Sequence, residues 1–178
     1  MKIIYNEKLN QSHVGYHFHV SAAQKVNDFH QTFDNYDVTP LVSLKELSSH
    51  LNVKNIYVKD ESYRFGLNAF KALGGSYSIG KVLSNLLNKD ITEITYKYLI
   101  SKECKEKIGD VTFITATDGN HGRGVAWVAH ELNQKSIVFL PKGSAIERLE
   151  NIRKLGADAS IMDMNYDDCV RYSNCEAQ

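Results

Sequence analysis

The chain has 178 residues, of which 43% are hydrophobic, and its 21 Lys plus Arg equal its 21 Asp plus Glu. That is enough for one good domain or for part of a larger one, and the even charge, without a sustained basic run, excludes nucleic acid as the expected partner. The start, Met1 to Glu7, lacks the apolar core of a signal peptide and no apolar run approaches bilayer length, so a cytoplasmic protein with no membrane partner is expected.

Residues 1 to 20 read as irregular or extended, with His17 and His19 on one face of any strand they form. A metal would need a third ligand, which the neighbourhood does not supply, so no metal site is assigned. Ser21 to Gln24 has the capping-box pattern, and Val26, Phe29 and Phe33 follow at helical spacing, which predicts an amphipathic helix over 22 to 33. Thr39-Pro40 closes a loop. A short helix over about 43 to 51 then carries Leu44, Leu47 and Leu51 on one side and leads into a strand over 55 to 59.

That strand runs out into Asp60 and Glu61, and a helix is expected from Asn68, a favoured N-cap, which puts Lys71 about three residues inside it. The positive end of the helix dipole and the apolar Phe70, Ala72 and Leu73 would both favour a neutral amine at Lys71, and hence a nucleophile. Gly74, Gly75, Ser78 and Val82 share its helix face, so a flat molecule could lie in that lane. Two adjacent glycines cost a helix about 1 kcal/mol each relative to alanine, which calls for close approach of another body or close packing.

The lysine helix continues through Leu87, and a second helix is predicted over 91 to 108, stopped by Gly109. Then the pattern changes. Strands over 111–116, 136–140 and 159–162 alternate with helices over 122–132 and from the capping box Ser144 to Glu147, the latter stopped by Gly156. Asn165 caps a last helix. The alternation is that of parallel βαβ units, an α/β fold with a parallel sheet in a three-layer αβα arrangement. Cys104, Cys169 and Cys175 are odd in number and form no Cys-x-x-Cys pair, so free thiols are expected.

In such sheets ligands gather where a strand's carboxyl end leads into a helix. The first such loop, Thr115 to Gly124, holds Gly119, Gly122 and Gly124 among Asp118, Asn120, His121 and Arg123. Its order, Gly-x-x-Gly-x-Gly, is not the dinucleotide fingerprint, and the Gly-Lys-Ser/Thr ending of a phosphate loop is absent.

Together, Asn68-Ala-Phe-Lys71 behind Lys59-Asp-Glu-Ser62, and Ala116-Thr-Asp-Gly-Asn-His-Gly122, resemble the fold type II pyridoxal-phosphate enzymes, and within them the diaminopropionate ammonia-lyases, over residues 37 to 160. Threonine dehydratases usually carry Ser or Ala plus Gly before the Asn, where this chain has Asp118. The resemblance implies that Lys71 forms the Schiff-base link to pyridoxal 5'-phosphate and that Asn120 bonds its phenolic oxygen, with Gly119 and His121 beside it. Asp118 would accept the α-proton of a D-amino acid, as a base whose carboxylate is raised by a closed, partly dry loop. The implied reaction converts 2,3-diaminopropionate, a small amino-acid substrate, to pyruvate and ammonia.

Members of that family run to more than twice this length and work as homodimers. Residues 1–70 would be an N-terminal segment of the large domain and 71–178 the small α/β domain. The expectation is therefore an incomplete fold type II chain, a truncated form that binds cofactor weakly and turns over little. A threonine or serine dehydratase, or a non-catalytic α/β interaction module that keeps these residues as relics, are the alternative readings.

Overall fold

The computed structural model describes residues 19–177. Helix α1, Val20–Gln31, is capped two residues earlier than expected, because the His19 ring accepts the amide of Ser21 and leaves Ser21 inside the helix. It buries Phe29 and His30, with Phe33 just beyond its end. His17 lies outside the described residues, and among those described no His, Cys, Asp and Glu group could hold a metal.

Strand β1, Leu41–Ser43, pairs antiparallel with β2, Tyr57–Lys59, around the short helix α2, Lys45–His50. Only the last three residues of the expected strand pair. Every residue of both strands is exposed, and so are Leu47 and Leu51. A two-stranded ribbon is marginal alone. This one is held from below: Lys59 Nζ donates to Thr39 O, and the buried Arg64 donates to Asp37 O, Thr39 Oγ1 and both carboxylate oxygens of Glu61 while lying 5.1 Å over the Tyr36 ring. The hydrogen bond from Arg64 holds the Glu61 carboxyl below its usual range. The charged run after β2 is thus a structural clamp.

Backbone reversals at Phe65 and Asn68, with φ of 51° and 52°, delay the next helix, so α3 runs Lys71–Leu86. Asn68 takes up the left-handed conformation that asparagine tolerates instead of capping. The helix expected over 91–108 is broken into a 3-10 turn at Ile91–Glu93, α4 at Tyr96–Leu99 and α5 at Lys102–Ile108. Asp90, Thr95 and Ser101 each turn a side chain onto an amide two or three residues on, starting a new segment each time. Gly109, at φ 67°, ends the last one.

The remainder alternates as expected: β3 Thr112–Ala116, α6 Asn120–Glu131, β4 Lys135–Leu140, α7 Ile146–Arg153, β5 Asp158–Ile161 and α8 Tyr166–Glu176. The strands pair in parallel in the order β3-β4-β5. One face packs α6 and α7 through Ala126, Val138, Leu140, Leu149, Ile152 and Ala159; the other packs α8 through Ala116, Phe139 and Cys169. This is the expected three-layer αβα arrangement. Asn165 caps α8 as anticipated, its side chain accepting from the amide of Asp168 at 2.9 Å. Ser144 caps nothing; Ala145 stands at the start of α7 without a side-chain bond.

A second core joins α1, α3, α4 and α6 through Phe29, Ile79, Leu83, Leu99, Trp127 and Val128. The three cysteines are unpaired, two of them buried. No helix among the described residues is long and apolar enough to cross a membrane.

Candidate active site

Lys71 is the first residue of α3, not its third, and its side chain is exposed. The expected apolar blanket is missing, since Phe70 is 60% exposed. What fixes Lys71 is the crossing of α3 and α6. A Cβ added at Gly124 would lie 3.1 Å from Ala72 N and 3.2 Å from Lys71 C, and one at Gly75 would lie 3.6 Å from Gly124 C. The two backbones therefore touch about one helical turn beyond Asn120, where α6 begins.

The loop before α6 is built on Thr117. Its buried Oγ1 accepts from the amides of Gly119 and Gly122, both at 2.9 Å. Gly122 has no room for a side chain: an added Cβ would run into Thr117 and come within 2.8 Å of Val138 Cγ1. Gly119 stands at φ 158° and ψ −96°, a region open to glycine. From α7, Arg148 Nη1 donates to Asp118 O at 2.5 Å.

These elements enclose a polar cavity of about 260 Å³ bordered by Lys71, Asp118, Gly119, Asn120, Arg123, Arg148 and Asn151. Lys71 also borders a wider, more apolar cleft of about 570 Å³, along with Gly74, Gly75, Ser78 and His121. The lane foreseen beside Lys71 is therefore a cleft wall, except for Val82, which does not border it. Burial holds the His121 imidazole below its ordinary value, the Lys71 ammonium pushes the same way, and Asp118 opposes them. His121 is thus within electrostatic reach of both groups. Asp118 and Asn120 are exposed, so the closed, dry loop expected around Asp118 is not formed by the described residues.

Four of the expected residues, Lys71, Asp118, Gly119 and Asn120, meet at one cavity, and His121 lies in the adjoining cleft. Arg148 and Asn151 were not singled out. The signal for them is weak but physical: α7 follows the carboxyl end of β4, the side of a parallel sheet where ligands collect.

Residues 32–178 match the family described as pyridoxal-phosphate dependent enzyme. The chain belongs to that family. Among curated relatives of this pyridoxal-phosphate family member, diaminopropionate ammonia-lyase of Salmonella typhimurium is 52% identical over 158 residues, which cover 89% of this chain and 39% of the relative. A biosynthetic L-threonine dehydratase of Haemophilus influenzae is 26% identical over 138 residues, covering 78% of this chain and 22% of that one. The crystal structure of Escherichia coli diaminopropionate ammonia-lyase in complex with D-serine superposes with a TM-score of 0.83 at 48% identity, covering 89% of this chain and 40% of that one. The chain thus spans about two fifths of the length of the ammonia-lyases it matches.

The residues present fit the family's cofactor. An exposed amine and a carboxamide border the same cavity, and an added Cβ at Gly74, beside Lys71 in the cleft, would meet nothing within 4 Å.

Proposed function

We propose that this chain carries one wall of the active site of a pyridoxal-phosphate dependent ammonia-lyase that converts 2,3-diaminopropionate to pyruvate and ammonia by α,β-elimination. The supporting observation is the shared cavity of Lys71 with the Asp118-Gly119-Asn120 turn. The likeness to diaminopropionate ammonia-lyase, twice as high in identity as that to threonine dehydratase, favours the diamino substrate over a hydroxyamino acid.

In this reading Lys71 carries the cofactor through its Nζ, and Asn120 donates from its side-chain amide to the cofactor's phenolic oxygen, with Gly119 and His121 beside it. When bound, the cofactor supplies an electron sink that stabilises negative charge at the substrate Cα. Asp118 takes the α-proton of a D-configured substrate, and a neutral His121 leaves the Lys71 amine without a competing cation beside it. Loss of the β-amino group as ammonia leaves an enamine that hydrolyses to pyruvate and a second ammonia.

Lys71 and Asp118 are both exposed, so water reaches both the cofactor-carrying amine and the proposed base. We therefore expect this chain alone to bind the cofactor weakly and turn over little. The division at residue 71 into a large-domain segment and a small α/β domain, the homodimer, the cytoplasmic setting and a role in amino-acid catabolism belong to the same proposal. The test is to add pyridoxal phosphate, fix it with borohydride and map the modified peptide. Attachment at Lys71 that vanishes in Lys71→Ala is expected; modification spread over surface lysines would sink the reading.

A further inference from the structure

The peptide unit between Asp118 and Gly119 is held at both polar ends. Its N–H, on Gly119, donates to Thr117 Oγ1 at 2.9 Å, and its carbonyl, on Asp118, accepts from Arg148 Nη1 at 2.5 Å. Thr117 belongs to the loop itself, buried beneath it. Arg148 comes from thirty residues away, on an exposed face of α7, and makes no salt bridge among the described residues. Its stem lies against Gly119 as well, where an added Cβ would sit 3.7 Å from Arg148 Cδ.

The orientation of this one peptide plane sets ψ of Asp118 and φ of Gly119, and with them the directions in which the Asp118 and Asn120 side chains leave the turn. Gly119 has no Cβ to restrict it, so the turn needs its restraint from outside. A guanidinium donor gives a charge-assisted bond in a fixed direction.

We propose that Arg148 is a positioning residue: it locks the 118–119 peptide so that Asp118 and Asn120 address the same space as Lys71. The proposal deepens the ammonia-lyase reading and rests on Lys71 and the turn being parts of one site. Arg148 bonds the turn through the Asp118 carbonyl and packs its stem on Gly119, and takes no part in proton transfer.

The experiment compares the full chain with Arg148→Lys, which keeps a cationic donor, and Arg148→Met, which keeps a long stem without one. Amide hydrogen exchange at Gly119 is the first readout, because it reports this peptide plane with no cofactor present. Losing one charge-assisted bond should speed Gly119 exchange about tenfold in Arg148→Met, while the amides of Leu149 to Ile152 stay as they were. Arg148→Lys should retain most of the protection. The second readout is the fraction of Lys71 fixed by borohydride over a titration with pyridoxal phosphate, whose midpoint should rise about tenfold in the Met variant and return in the Lys variant.

Unchanged Gly119 protection in Arg148→Met, or equal loss in both variants, would overturn the proposal, the latter by showing that only the shape of arginine matters. Should the Met variant fail to fold, Arg148→Ala, which also removes the donor, takes its place with the same loss of Gly119 protection expected. Absence of Lys71 modification in the unmodified chain would instead strike the cofactor reading, leaving the exchange data to judge Arg148 by themselves.

Discussion

The parallel sheet and the β1–β2 ribbon are made of similar residues and stand at opposite extremes of burial. In β4, Ser136, Val138, Phe139 and Leu140 are all buried because helices cover both faces; in the ribbon, Leu41, Val42, Tyr57 and Val58 are all exposed. Apolar, β-branched sequence therefore makes a strand in both places, but only helices on either side make a core. The site draws on both regions: Lys71 follows the ribbon and its arginine clamp, and the Asp-Gly-Asn turn hangs from the sheet.

The largest effect that would sharpen this contrast is chemical: Lys71→Ala should abolish cofactor attachment while thermal unfolding stays unchanged, since the side chain is exposed. Next, Leu140→Ala in the sheet should cost about 3 kcal/mol of unfolding free energy in urea, against less than about 1 kcal/mol for Val42→Ala in the ribbon. Equal costs would break the comparison. Gly122→Ala should cost about 2 kcal/mol, by overpacking against Thr117 and Val138, and should also weaken cofactor attachment because it displaces the acceptor of the Gly119 amide.

The smallest effect concerns pH. His30 is buried, its Nε2 is 3.0 Å from Leu73 O and 2.8 Å from Ser76 Oγ, and burial holds its pKa below the ordinary value. The unfolded chain therefore takes up the proton at a higher pH than the folded one. Unfolding gains a proton on acidification, so stability should fall as the pH drops through about 6.5 and below. Urea midpoints across that range should decline less in His30→Gln; an identical decline would assign the effect elsewhere.

Periodicity and turn chemistry made the sheet half legible. Val111 to Ala116, Ser136 to Leu140 and Ala159 to Met162 alternate with helices, and Gly109 and Gly156 stop their helices in positive φ. Where sequence reading slipped, a local choice was decided by distant packing or by competing caps. Asn68 turns into the left-handed region behind the Arg64 clamp, and Thr95 and Ser101 compete with the helix expected to run through them. Lys71, Asp118 and Asn120 were legible because glycines and polar groups crowd around them. Arg148 was not, since an exposed arginine on an exposed helix face resembles any solubilising charge until the fold carries it to the turn.

The contact between the backbones of Ala72 and Gly124 has a mechanical corollary. With no side chain between them, the two helices are geared to one another, and neither can slide or tilt without carrying its neighbour along. The amine at the head of one helix and the acidic turn at the head of the other thus travel as one rigid unit, and their spacing is set by the backbone itself.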